Sequence, residues 1–408
     1  MWRLKSFLAL VGAVFALGWG QCASAVLFLT TPTGAPTASM TATIAGTTLV
    51  TSAIAFNNGL TSPPVGMFVV GTGVTAGSYV TAPCTGSSPI FTCTLSQSST
   101  VSMGEAMTTT YGYQLPSDWN NAGAKIEVIG GASGGQGGGG AGGGGGAYSA
   151  QTSLALTAGA LVPYQIGAAG TAGNASGSTA AGNGGDTFFN GTSLAASPTV
   201  GAQGGKLISG NGTGGSAASG TGSTTFSGGN SAQGNGGSFP GWGAGGAAGP
   251  NGNGGNGGTG NGFRFGGSGG GGANGGANGG VVTSGTGSNG GTNRLSTGAG
   301  TGGTSTTAGT NGGGGGGCSW GTVCVGGAGS QDTVWTSTAG PTAGPGSGCG
   351  GGFSTTGAPV AALYGGGGCA EAGQGGSPSA GAQGIIVLTY VPAGALGGPS
   401  LSLTGVGP

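Results

Sequence analysis

The chain has 408 residues, of which 113 are glycine and only 3% are charged: six Lys or Arg against six Asp or Glu, with no histidine. Zero formal charge without a basic cluster gives no grip on phosphate backbones, so no nucleic-acid partner is expected. General acid–base chemistry needs titratable groups gathered in a cleft. A few scattered carboxylates without histidine therefore point away from an enzyme, a metal site or a cofactor.

Residues 1–25 have the plan of a secretory signal peptide. Arg3 and Lys5 supply the positive end, Phe7 to Trp19 the apolar run and Ala23-Ser24-Ala25 a small-residue cleavage site. The run is shorter than the roughly 20 apolar residues of a spanning helix, and no second stretch qualifies. An extracellular or cell-surface chain without a membrane span is expected. Cleavage after Ala25 removes Cys22 from the seven cysteines and leaves an even number, which in an exported chain reads as disulfides. The remainder fall into close pairs, Cys84 with Cys93, Cys318 with Cys324 and Cys349 with Cys369, with other connectivities open. Zinc is disfavoured, because the chain has neither histidine nor a C-x-x-C spacing.

Val26 to Met107 is rich in Thr, Val, Ser and Ala. Apolar residues alternate at Met40, Ala42 and Ile44, and turn signals recur at Ala45-Gly46, Asn57-Asn58-Gly59 and Ala76-Gly77, which predicts a small all-β module. The segment Val65 to Val80, with Gly71-Thr72-Gly73-Val74-Thr75-Ala76-Gly77 at its turn and Thr94-Leu95-Ser96 downstream, resembles a repeat of bacteriophage tail and fibre proteins. Residues 108–121 read as a connector, with Trp119 as a plug beneath the next domain.

Residues 122–392 form a glycine-dominated tract bracketed by the strand patterns Ala124–Ile129 and Gly384–Val391. Fixing glycine is costly, since it loses more backbone freedom than any other residue. Such a tract either stays a flexible linker or bonds nearly all its peptide groups. Recurring aromatics, four cysteines and the bracketing strands favour order. Polyproline II offers a route: three residues per turn with no internal hydrogen bonds, so that neighbouring helices bond to each other where no side chain intervenes. The predicted fold is mainly β with non-regular structure, a small amino-terminal β module followed by packed polyproline-II-like glycine helices between β-strands. Asn253-Gly254-Gly255-Asn256-Gly257-Gly258-Thr259 has the required period of three, whereas Gly271 to Asn278 has period four. Residues 393–408 read as a flexible tail.

The order of parts in this tract carries a resemblance. A Trp, a strand ending Val128-Ile129-Gly130-Gly131, glycine runs, Ala147-Tyr148-Ser149, Gly184-Gly185-Asp186-Thr187-Phe188-Phe189 and a final strand together resemble the glycine-rich domain of phage tail fibres, adhesins and some bacterial surface proteins. Ala160-Leu161-Val162-Pro163 departs from that pattern, where a short polar link is usual. The resemblance implies a non-enzymatic attachment protein, on a cell surface or a virion tail fibre, whose loops meet a cell-surface glycan or protein receptor, and which can assemble with itself or other fibre subunits. An exported structural protein of a wall, sheath or filament is the alternative. Aromatic and Arg side chains interrupting the glycine runs are the candidate ligand-binding residues: Trp242, Phe263, Arg264, Phe265, Trp320, Trp335 and Tyr364. Hydrophobic filling between glycine segments is the competing role for each. Gly204-Gly205-Lys206-Leu207 lacks the Ser or Thr of a phosphate loop, and Asp186 reads as closing a turn.

Overall fold

The structure, a computed structural model, describes residues 24–30, 39–55, 62–63, 65–138, 140–174, 176–232, 241–259, 267–282, 287–295, 312–316, 326–336, 342–353, 360–372 and 377–393. It is mainly β, and among the described residues no helix is long and apolar enough to cross a membrane. The first strand, β1 (Ala25–Leu29), is followed by four strands of the amino-terminal module: β2 (Ser39–Ala55), β3 (Phe68–Gly71), β4 (Thr85–Ser87) and β5 (Ile90–Gln114). The expected alternation holds in β2, where Met40, Ala42 and Ile44 are buried beside Met67, Phe91, Leu95 and Val101. β5 is the spine of this module and pairs antiparallel with β2, β3 and β4. A Cys84–Cys93 disulfide ties β5 to the approach to β4. The two halves of the repeat-like stretch bond to each other, Ser96 N to Tyr79 O at 2.8 Å and Thr81 N to Thr94 O at 2.8 Å.

The module is not set off by a linker. β5 continues into the expected connector as far as Gln114 and pairs there with β8 (Leu161–Gln165), which contains the residues that depart from the resembled pattern. The physical reason is aromatic packing. The Tyr113 ring lies 6.3 Å from Tyr164 and 6.2 Å from Phe189, giving β5 an apolar surface beyond Met107. Val26 to Leu29, which the sequence groups with the module, instead joins the far end of the chain. β1 pairs with β18 (Ile385–Tyr390), which pairs with β6 (Lys125–Ile129). Leu27 and Leu29 pack into one core cluster while Val26 and Phe28 pack into another. A strand apolar on both faces belongs in a sheet covered on both faces.

β7 (Tyr148–Gln151) and β13 (Thr224–Phe226) complete a five-stranded sheet in the order β1-β18-β6-β7-β13, while β9 (Thr187–Phe189) and β10 (Val200–Ala202) extend the β8 side. The two bracketing strands are thus direct partners, Ile129 opposite Ile385 and Ile126 opposite Leu388. Trp119 sits beneath them as expected, 5% exposed, its ring 5.0 Å from Tyr390 and its indole N–H donating to Asn121 Oδ1 at 2.9 Å.

From the sheets, extended glycine segments run out side by side. Gly130 to Gln136 shows their rule. The N–H groups of Gly130, Ser133 and Gln136 donate to Ala147, Gly144 and Ala141 on one neighbour; those of Gly131 and Gly134 donate to Gly185 and Gly182 on a second; those of Ala132 and Gly135 donate to Ala382 and Ser379 on a third, all at 2.8–3.1 Å. The neighbour repeats every third residue. Likewise Gly241, Ala244 and Ala247 donate to Gly352, Cys349 and Gly346 at 2.8–3.0 Å. The period-four stretch is explained by a turn rather than a segment. Asn274 (φ 61°) and Gly275 (φ 83°) reverse the chain, and Gly272 N then bonds Ala277 O across the turn at 2.8 Å.

Short strand pairs cap or interrupt the segments: β11 (Lys206–Ile208) with β12 (Asn211–Thr213), β14 (Trp335–Thr336) with β15 (Thr342–Ala343), and β16 (Gly352–Phe353) parallel to β17 (Glu371–Ala372). A Cβ built on Gly143, Gly146, Gly245 or Gly258 would overlap the carbonyl oxygen of Ser133, Gly130, Gly229 or Gly280 respectively. Gly245→Ala is accordingly expected to lower stability by about 1–3 kcal/mol through overpacking, read as a shifted denaturant midpoint. Unchanged stability would show that the segments can spread.

Candidate attachment surface

The glycine segments have two unlike ends. At one end their backbones feed the strands: Gly130 into β6, Ala147 into β7, Gly384 into β18. The opposite end is defined by a chain of registered pairs. Ala232 bonds Gly243, Gly241 bonds Gly352, Gly352 bonds Ala370, Gly351 bonds Ser268, Ser288 bonds Gly267, Gly316 bonds Ser288, and Val282 bonds Thr259. The connections 233–240, 260–266, 283–286, 317–325 and 373–376 all leave from, and return to, described residues at this same end. Beneath it the Cys349–Cys369 disulfide, both residues fully buried, packs on Ala244.

The predicted ligand-binding residues divide into two groups. Phe263, Arg264, Phe265 and Trp320, together with Cys318 and Cys324, lie outside the described residues, and so does Phe239. Trp242, Trp335 and Tyr364 are described, and the first two are interior side chains at 6% and 7% exposure. Tyr364 is half-buried, packed against the cluster that holds Trp335. The two tryptophan rings are thus interior, and the Tyr364 ring is in part exposed.

Trp335 is drawn inward by a buried carboxylate. Glu127, on β6 and 3% exposed, accepts at Oε1 from the Tyr148 hydroxyl (2.6 Å) and at Oε2 from the Trp335 indole N–H (2.9 Å), and its Oε1 pairs with Lys125 Nζ (2.8 Å). A buried charge is tolerated only when paired and hydrogen-bonded, and three donors meet that demand here. Sequence reasoning missed this centre. Lys125 and Glu127 alternate as on an open sheet face, and nothing local shows that the face is covered. A second buried acid, Asp332, accepts from Asn274 Nδ2 at 3.0 Å and from Thr333 N at 3.1 Å, anchoring the chain reversal. Asp186, read from the sequence as closing a turn, instead directly precedes β9, accepting from Gly204 N (2.9 Å) and pairing with Lys206 Nζ (3.3 Å).

One open cleft of about 390 Å³ lies where the module meets the glycine-rich part, lined by Tyr79, Thr81, Gln114 and Leu161 around Gly66 and Gly112. Among the described residues, no group of three or more His, Cys, Asp or Glu gathers where it could hold a metal. No protein-family model matches this chain, and no curated protein matches it.

Four tyrosines hold their protons more firmly folded than free. Burial raises Tyr113 and Tyr364; burial, then the Glu127 charge and hydrogen bond, raises Tyr148; burial and the Asp118 hydrogen bond push Tyr390 up to about 12. A raised folded-state value gives stability that is complete below the ordinary tyrosine pKa and is lost as pH climbs above it. The melting temperature should therefore be flat to about pH 9 and fall above about pH 10, with Tyr148→Phe blunting the fall. Glu127→Ala, which strands an indole N–H, a hydroxyl and an ammonium, should cost about 3–5 kcal/mol in denaturant unfolding.

Proposed function

We propose that this chain is a non-enzymatic extracellular attachment protein of the tail-fibre and surface-adhesin kind, in which a glycine-rich scaffold holds receptor-binding loops at one end. The observation that carries this reading is the common end from which five connections leave, three of them holding Phe239, Phe263-Arg264-Phe265 and Trp320. Rings and Arg on loops mounted on a stiff base lose little freedom on binding. The partner is a cell-surface glycan or protein.

In this reading the glycine segments are polyproline-II helices. The support is their hydrogen bonding: a partner that changes with every residue and returns every third is what three residues per turn produces. Export through the amino-terminal signal accords with two disulfides among the described residues, Cys84–Cys93 and Cys349–Cys369.

The test is binding of the purified, labelled chain to intact bacterial cells, with unlabelled chain as competitor. Replacing Phe263, Arg264 and Phe265 together by Ala, or Trp320→Ala, should weaken saturable binding by at least about tenfold while leaving the melting temperature in place. Trp242→Phe should leave binding unchanged. Wild-type affinity in both loop variants would overturn the loops as the contact surface.

A further inference from the structure

One flank of the glycine-rich part is an exposed, uncharged field of asparagines whose amides are held in place. Three successive segments, 227–232, 253–259 and 277–282, run parallel: Gly254 and Gly257 donate to Ser227 and Asn230, and Gly279 and Val282 donate to Asn256 and Thr259, at 2.8–3.0 Å. The return bonds come from side chains. Asn253 Oδ1 accepts from Ser227 N, Asn256 Oδ1 from Asn230 N and Asn278 Oδ1 from Asn256 N, each at 2.8 Å, while Asn230 Oδ1 accepts from Gly214 N at 2.8 Å. All four asparagines are exposed.

Each carboxamide oxygen is engaged by a backbone N–H, so the amide cannot flip, and its Nδ2 group has no partner among the described residues. An Nδ2 group carries two donors. The face therefore offers preorganised donors, repeated every third residue along a segment and again on the next segment. It holds no Lys, Arg, Asp or Glu in any of the three segments. A donor field of this kind does not complement a second copy of itself, and its lack of charge gives nothing to an acidic or basic ligand. It suits an extended, neutral chain rich in hydroxyl and ether oxygens.

We propose that this asparagine flank, formed by Asn230, Asn253, Asn256 and Asn278, binds a neutral polysaccharide strand laid across the parallel segments. The surface is distinct from the loop-bearing end proposed above, and its binding does not require those loops to touch anything. The preorganised amides lower the ordering cost of binding.

The experiment is retention of the full chain on insoluble neutral β-glucan, with a sulfated polysaccharide as the charged comparison. Wild-type protein should be retained on the neutral matrix, equally at low salt and at about 1 M salt, because no ion pairs are involved. The triple variant Asn253→Asp, Asn256→Asp and Asn278→Asp keeps every acceptor oxygen of the lattice and removes the NH₂ donors. Its retention should fall on the order of tenfold, since donor loss from several sites compounds. Trp320→Ala should leave retention untouched, which separates this surface from the loops. No retention of the wild type, retention only on the sulfated matrix, steep salt dependence, or full retention of a folded triple variant would each overturn the proposal. The wild-type arms decide it even if the triple variant does not fold.

Discussion

A hydrogen bond between two backbones with no side chain standing between them is the interaction on which this structure depends. Its net worth is about 1 kcal/mol, against about 1–2 kcal/mol for fixing each residue. The glycine segments thus come out close to balance or short of it by themselves. What tips them is at their ends. On one side two-faced sheets bury Ile126, Val128, Ile386 and Leu388 in one cluster and Ile129, Tyr148, Ile385 and Val387 in the other. Within the segments, the Cys349–Cys369 bridge closes a loop of 20 residues, a constraint worth roughly 3 kcal/mol.

That dependence explains why the chain's extremes meet. The tract leaves the sheet at β6 and returns at β18, and these neighbours hold both ends of the tract at one place. β1 then seals the free edge of β18, and Glu127 pins the β14–β15 hairpin from the opposite face through Trp335. The module is joined to this base by a continuous strand, β5, whose end pairs with β8.

The parts legible in the sequence are those whose signal is local. Met40, Ala42 and Ile44 alternate because one face of β2 is buried, and the Cys84–Cys93 and Cys349–Cys369 pairs lie close in sequence. Asn253 to Thr259 shows its period of three directly. The parts that are not legible depend on distant partners. Trp335 reads equally as a binding ring or as filling, because the carboxylate that holds it lies 208 residues away. Val26 to Leu29 reads as the start of the module because its partner is the last strand. Gly271 to Asn278 reads as a broken lattice because a turn at Asn274 and a segment on either side of it share one composition.

The non-glycine residues of the tract then acquire a meaning that composition alone hides. The segment glycines whose Cβ would collide with a neighbouring carbonyl are largely outside the left-handed region, so an Ala could adopt their backbone but could not fit. The requirement is one of space between segments. A side chain is admitted where a segment faces solvent, as at Asn253, Asn256 and Thr259, or where the interior leaves room for it, as at Ala244 beside Cys349 and Cys369 and at the buried Ser133 and Ser347. Solvent-facing positions are then free to vary in chemistry without disturbing the bonds that hold the segments together, provided that an acceptor survives where a parallel neighbour needs one. Asparagine meets both conditions at once, its oxygen serving the lattice and its nitrogen left for the outside.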